Sequence, residues 1–232
     1  VRATSLEEEG RQHPMLSVLH EMKPKNDFFA GSSDSPVAQM SDQEFLQAKA
    51  TYFGLMTEID EQLGRIFDYL KATNQYDSTL IVFTSDHGEQ LGDHYLFGKL
   101  GYFDASYHIP LIIRDPKRQF QNVKTLEHFS ESVDVMPTIL DWLGLEIPDQ
   151  CDGRSLLPFL ENEVPRNWRE EVHSEFDFRW IGSYQPMIEE RFGLLPDECS
   201  LVIIRDDDYK YVLMTALPPL FFDLKRDPGA VS

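Results

Sequence analysis

The strongest hydrophobic pattern in the chain begins at a polar tetrad, Ser41-Asp42-Gln43-Glu44. This is a capping box: Ser41 can accept from the Glu44 backbone N–H, and the Glu44 side chain can return a bond. Behind it Phe45, Ala48, Tyr52, Leu55, Ile59, Leu63, Ile66 and Leu70 recur at helical spacing and form one apolar stripe. The spacing predicts a helix of about thirty residues that ends near Asn74. Gly54 and Gly64 weaken it by roughly 1 kcal/mol each relative to alanine unless close packing needs them. Asp60 and Glu61 fall on its solvated face.

After a polar turn the period changes. Leu80 to Thr84 is a continuous apolar run with β-branched residues, and Pro110 to Arg114 is a second, stopped by Asp115-Pro116. Continuous rather than alternating apolar strands predict a sheet covered on both faces. Ser132 to Gly144 reads as a shorter helix with Pro137 in its first turn and Gly144 as its stop. Residues 1–40 read as a loop-rich lead-in with one short helix near Met15 to Met22, and His13 and His20 there read as surface histidines. Beyond Gly153 the texture becomes that of a small antiparallel sheet. A short helix and turn at Arg154 to Glu163 precede strands at Glu171 to Phe176, Ser200 to Arg205, Tyr209 to Met214 and Leu220 to Leu224. Asp206-Asp207-Asp208 reads as the hairpin turn between two of these. The pattern therefore predicts an α/β core over residues 1–153 and an α+β appendage with a smaller antiparallel sheet over 154–232.

Charge narrows the functional classes. Forty acidic against 21 basic residues give a net charge of −19, which opposes a nucleic-acid interface and requires any anion site to be locally positive. No apolar run approaches the ~18 residues that a membrane-spanning helix needs. Cys151 and Cys199 form no disulfide framework or zinc spacing, and read as ordinary thiols of a reducing, cytoplasmic compartment.

The candidate chemistry lies where the first strand ends, at Asp86-His87-Gly88-Glu89. In open α/β sheets, ligands bind beyond the carboxyl ends of strands. A carboxylate and an imidazole adjacent in a turn suit a divalent cation, and Gly88 lets the backbone turn sharply. Two ligands are fewer than the three or more that a catalytic metal usually takes. Lys99, thirteen residues after Asp86, can return as a point charge to a phosphoryl or sulfuryl oxygen. His94 can hydrogen-bond substrate or serve as general acid.

The stretch Ser85-Asp-His-Gly-Glu-Gln-Leu-Gly-Asp-His-Tyr-Leu-Phe-Gly-Lys99 resembles the second metal motif of the sulfatase and phosphonate monoester hydrolase family, within the alkaline phosphatase superfamily. The helix Tyr52 to Leu70, His108 to Arg114, Ser132 to Leu140, Asp152 to Leu156 and Phe222 to Pro228 match along the same pattern. The resemblance implies an alkaline-phosphatase-like sheet covered by helices on both faces. It implies that Asp86 and His87 are the late metal ligands, that Lys99 contacts the substrate anion, and that His94 is a motif histidine of less defined role. The Asp-His pair and Glu175 to Arg179 resemble the phosphonate monoester hydrolase branch, favouring phosphonate monoesters and phosphodiesters over sulfate esters. The family's Cys/Ser-x-Pro-x-Arg motif, whose Cys or Ser matures to formylglycine, has no counterpart here, and only 85 residues precede Asp86. The expectation is a C-terminal portion of a metal-dependent hydrolase, inactive alone, with formylglycine in the missing N-terminal part. Manganese is expected from one imidazole among oxygen ligands, with calcium and zinc as alternatives. The expected partners are a small anionic ester and other copies of the chain, with neither nucleic acid nor membrane. A sulfatase in the strict sense, including a choline-sulfatase-like one, and a non-catalytic domain that keeps the fold remain the alternatives.

Overall fold

The computed structural model describes residues 5–28, 34–118, 125–177 and 185–227. Among the described residues the α-helices run in chain order as α1 (Leu6–Gln12), α2 (Pro14–Met22), α3 (Asp42–Ala72), α4 (Asp104–Tyr107), α5 (Val135–Trp142), α6 (Leu157–Leu160) and α7 (Gln185–Phe192). Six strands are β1 (Ile81–Thr84), β2 (Leu111–Arg114), β3 (Val172–Asp177), β4 (Ser200–Arg205), β5 (Tyr209–Met214) and β6 (Leu220–Asp223).

Helix α3 forms as its sequence predicts. Ser41 caps it, the Glu44 carboxylate returns a bond to the Ser41 N–H at 2.7 Å, and the helix runs 31 residues. Lys25 Nζ reaches the same carboxylate at 3.0 Å. The Ser41 N–H, which contributes most, Lys25 and the Ser41 hydroxyl hold Glu44 ionised down to a pKa of about 2. The chain leaves the helix through Thr73 and Asn74, the latter left-handed at φ 56°. No residue of α3 is buried. Of its stripe, Leu55, Ile59 and Ile66 are exposed, whereas Phe45 and Ala48 at its start pack against Phe97 and its neighbours.

The two apolar runs pair antiparallel as β1 and β2, with Ile81 opposite Arg114 and Thr84 opposite Leu111. The described residues do not supply the expected cover on both faces: Phe83 and Ile112 remain exposed, Ile112 by 61%. The C-terminal sheet is antiparallel in the order β3-β4-β5-β6. Its strands agree with the sequence to within a residue or two at their ends. At the β4–β5 hairpin Asp206 accepts from the N–H groups of Asp208 and Tyr209, the Asx chemistry expected of that turn.

One face of this sheet lies on α2. Leu16, Leu19 and Met22 of α2, Leu96, Leu100, Tyr102 and Phe103 of the loop after β1, and Leu201, Val212 and Phe222 of the sheet form one apolar core. That core draws on both sides of Gly153, so the two sequence regions share an interior. Two expectations for the lead-in are corrected. A helix the pattern missed, α1, is capped by Ser5 and Glu8 in a second capping box. His13 and His20 are buried at 2% and 5% exposure rather than on the surface. His13 caps the start of α2 and His20 lies in its last turn, and each bonds a backbone carbonyl: His13 to Pro218 at 2.9 Å, His20 to His94 at 2.7 Å. Burial depresses the pKa of both, against the opposing pull of those carbonyls.

Candidate active-site turn

Strand β1 ends at Thr84, and its next residues form the turn that carries Asp86 and His87. Ser85 Oγ donates to the His87 carbonyl at 2.8 Å, and the His87 N–H donates to Asp86 Oδ1 at 3.0 Å. The turn is thereby closed on itself. His87 Nδ1 lies 2.8 Å from the Gly88 carbonyl, which can only accept, so that nitrogen carries a proton. Its Nε2 then faces Asp86 Oδ2 at 3.5 Å. The arrangement is that of metal-binding histidines, whose second nitrogen is fixed by a backbone carbonyl. Asp86 is 83% exposed at its side chain, so the pair opens to solvent rather than into the core. Desolvation is the largest single influence on Asp86 and works against its ionisation. The neighbouring His87 ring, the Asp86 and His87 N–H groups and the Lys99 ammonium outweigh it and hold the carboxyl below the usual carboxylate range.

The loop from Gly88 to Phe103 brings Lys99 back toward this edge. Glu89 Oε1 accepts from the N–H of Leu91 at 3.0 Å and of Gly98 at 2.6 Å. Gln90 N–H donates to Gly98 O at 3.0 Å, and Gly92 N–H to Leu96 O at 2.7 Å. The buried Gln90 amide donates to Leu100 O and to Ser106 Oγ. The chain thus doubles back at Gly98, and Lys99 follows with an exposed side chain close enough to Asp86 to stabilise its charge. Neither Glu89 nor Gln90 figured among the site residues read from sequence. Their spacing to Gly98 and Ser106 carries no periodic signal.

His94 is placed differently from the other three. Its backbone is left-handed, at φ 53°, and its Nδ1 is 3.3 Å from Glu9 Oε2 of α1. The ring lies parallel to Phe103 with centroids 3.6 Å apart. Held on both sides, it ties the loop to the helical lead-in. These contacts engage Nδ1 and one face of the His94 ring.

Asp86 and His87 fit a divalent cation as two ligands of its set: one carboxylate oxygen and one correctly protonated imidazole, on a solvent-open edge. Among the described residues no group of three or more metal-ligating side chains occurs. The Glu175 to Arg179 stretch is described only as far as Asp177; Phe178 and Arg179 lie outside the described residues. No helix among the described residues is long and apolar enough to cross a membrane.

Comparison with known proteins adds three findings. Residues 4–145 match the family model described as sulfatase, and residues 92–232 match that of the N-sulphoglucosamine sulphohydrolase C-terminal region. The chain is 52% identical over all 232 residues to the multifunctional alkaline phosphatase superfamily protein PehA of Trinickia caryophylli, of which it covers 45%. It is 30% identical to arylsulfatase K of Gallus gallus, covering 39% of that protein. Among solved structures it superposes on the phosphonate monoester hydrolase of Agrobacterium radiobacter with a TM-score of 0.89 and 41% identity, over the whole chain and 45% of that one. The chain therefore spans less than half the length of these relatives.

Proposed function

The chain belongs to the sulfatase family, and from that membership we propose that it supplies the late metal ligands and the anion-binding lysine of a hydrolase of phosphonate monoesters and phosphodiesters. The observation that carries the reading is the Asp86–His87 edge, with Nδ1 locked on Gly88 O and Nε2 presented beside Oδ2. Asp86 and His87 hold one side of a divalent cation, manganese by the ligand chemistry, with calcium or zinc as alternatives. Such a cation stabilises negative charge on the group being transferred and on its nucleophile. Lys99 neutralises a nonbridging oxygen of that group, a locally positive feature on a chain of net charge −19. His94 positions the loop that carries Lys99, through Glu9 and Phe103. The nucleophile, a formylglycine in the family reading, and the remaining metal ligands are provided by the part of the relatives' length that this chain does not span.

Phosphonate esters rank first because two solved structures at 41% and 39% identity, with TM-scores of 0.89 and 0.86, are phosphonate monoester hydrolases. Sulfate esters form the second reading, favoured by the match of residues 92–232 and by arylsulfatase K. The test joins this chain to the preceding portion of PehA and compares p-nitrophenyl phenylphosphonate with p-nitrophenyl sulfate. Hydrolysis of the phosphonate should dominate. Lys99→Met should lower kcat by about 10²–10³-fold, the usual loss for one charge-stabilising donor. Equal activity of Lys99→Met and the unaltered chain would end the assignment.

A further inference from the structure

The metal-binding turn does not rest on its own strand alone. Gly88 N–H donates to Ser106 O of α4 at 2.9 Å, and a Cβ placed on Gly88 would stand 2.0 Å from Ala105 O. The turn therefore lies flat against the backbone of α4. Ser106 Oγ also receives the Gln90 amide at 2.7 Å, so α4 holds both ends of Gly88-Glu89-Gln90. Four residues cannot hold themselves, and α4 has no side-chain cap. Its support comes from elsewhere. Tyr107 Oη donates to Gly101 O at 2.9 Å, and Asp104 takes Lys210 Nζ on Oδ1 at 2.8 Å.

Lys210 is an anomaly on its strand. Strand β5 alternates outward and inward, and Lys210 occupies an inward position beside Val212 and Met214. It is 1% exposed, on the strand face that also carries the buried Val212 and Met214. The other charged group at that point, Arg205 Nε of β4, stands 3.3 Å from Asp104 Oδ2 without an aligned hydrogen bond. Desolvation depresses the Lys210 pKa, and Asp104 opposes that fall. A buried ammonium is costly, and an apolar residue at an inward strand position packs at no such cost. Lys210 Nζ bonds the first residue of α4 and lies 5.9 Å from the centre of the Phe222 ring.

We propose that Lys210, acting through Asp104, is a positioning residue for the Asp86–His87 turn: the C-terminal sheet holds α4 through the Asp104 carboxylate, which Lys210 bonds and Arg205 flanks, and α4 holds Gly88. The role assigned to that turn rests on the hydrolase reading; the mechanical coupling does not. Lys210 touches neither substrate nor metal ligand, and acts on His87 only through α4 and the carbonyl of Gly88.

The test uses the 232-residue chain without metal or substrate. Hydrogen exchange is followed at the Gly88 amide and at the Val212 amide in the sheet, and the ¹⁵N shifts of the His87 ring report which nitrogen carries the proton. In Lys210→Met, Gly88 exchange should accelerate by about ten-fold or more relative to Val212, the loss expected of one charge-assisted bond. The two His87 nitrogen shifts should move toward each other as the Nδ1 proton loses its carbonyl. Asp104→Asn, at a partly exposed site that folding tolerates, should reproduce both effects. The double variant should add little, because the pair acts as a unit. A lysine that merely fills its place in the sheet would lower the melting temperature while leaving the Gly88-to-Val212 ratio and the His87 shifts unchanged, and that result overturns the proposal. Failure of the phosphonate assay alone would discard the hydrolase reading and leave this coupling standing.

Discussion

At Gly88 a single missing methyl decides the shape of the site. The residue follows both proposed ligands, and Ala105 O occupies the space a side chain would need. Its φ is not left-handed, so the requirement is close approach rather than backbone conformation. Gly88→Ala must separate the turn from α4 and lose the Gly88 N–H bond to Ser106 O. The expected cost is about 1–3 kcal/mol, the range for an unsatisfied buried donor or overpacking, seen as a lower midpoint in chemical denaturation. An unchanged midpoint would mean the turn has room that the geometry denies it. Sequence reasoning placed glycine here for a sharp turn, and close backbone packing is the stronger cause. The same scale shows what sequence cannot carry. Asp86, His87 and Lys99 were legible because they cluster at one strand end. Lys210 was not, since a lysine in an alternating strand defaults to the solvent face until the register is known.

Helix α3 was the most legible element, in its cap, length and stop, yet its surroundings were not what its stripe implies. Amphipathic periodicity says that a face is made for burial and says nothing about which polypeptide buries it. Leu55, Ile59 and Ile66 of the α3 stripe and the exposed faces of β1 and β2 lack cover among the described residues, while the chain spans less than half of its relatives. Gly54 and Gly64 have no atom within 4 Å of where a Cβ would stand. In this chain by itself Gly54→Ala should therefore raise stability by roughly 1 kcal/mol, since helix propensity is then the only term that changes. Joined to the preceding portion of PehA, the same substitution should lose that gain if a neighbouring backbone packs against the glycine. Thermal melts of both forms measure the difference, and an equal gain in each would show that nothing approaches Gly54. The weakly patterned α1 was missed for the opposite reason. Its Ser5-x-x-Glu8 signature was present, but it precedes only Leu6 in seven residues, so no stripe confirmed it.

For the molecule as a whole, two electrostatic effects oppose each other as pH falls below neutrality. The net charge of −19 is self-repulsive, and protonation relieves it. His13 and His20 act in the other direction. Both have folded-state pKa values depressed below 6.5, chiefly by burial, so the unfolded chain binds protons that the folded chain refuses. Their stabilising contribution is complete above pH 6.5 and is lost as pH falls from there through the depressed values. Each group can contribute a slope of up to about 1.4 kcal/mol per pH unit within that window. Asp115 adds a loss at lower pH. Burial opposes its ionisation, but Trp142 Nε1, the Lys117 N–H and Arg118 hold its pKa below the ordinary value, so its share disappears only as pH falls through that lower range. At 0.15 M salt, repulsion between surface charges is screened beyond about 8 Å, whereas the histidines lie inside the core and are screened far less. The histidines should therefore prevail. Stability should decline between pH 7 and pH 5.5 at 0.15 M salt even though the net charge is shrinking. His20→Gln should flatten that decline, because it removes a ring facing Glu9, Glu21 and His94 that would otherwise take up a proton on unfolding. Denaturation midpoints at several pH values for the two proteins provide the measurement. A midpoint that rises steadily toward pH 5.5 in both would show that surface repulsion, and not the pair of rings beneath α2, governs how this fold responds to acid.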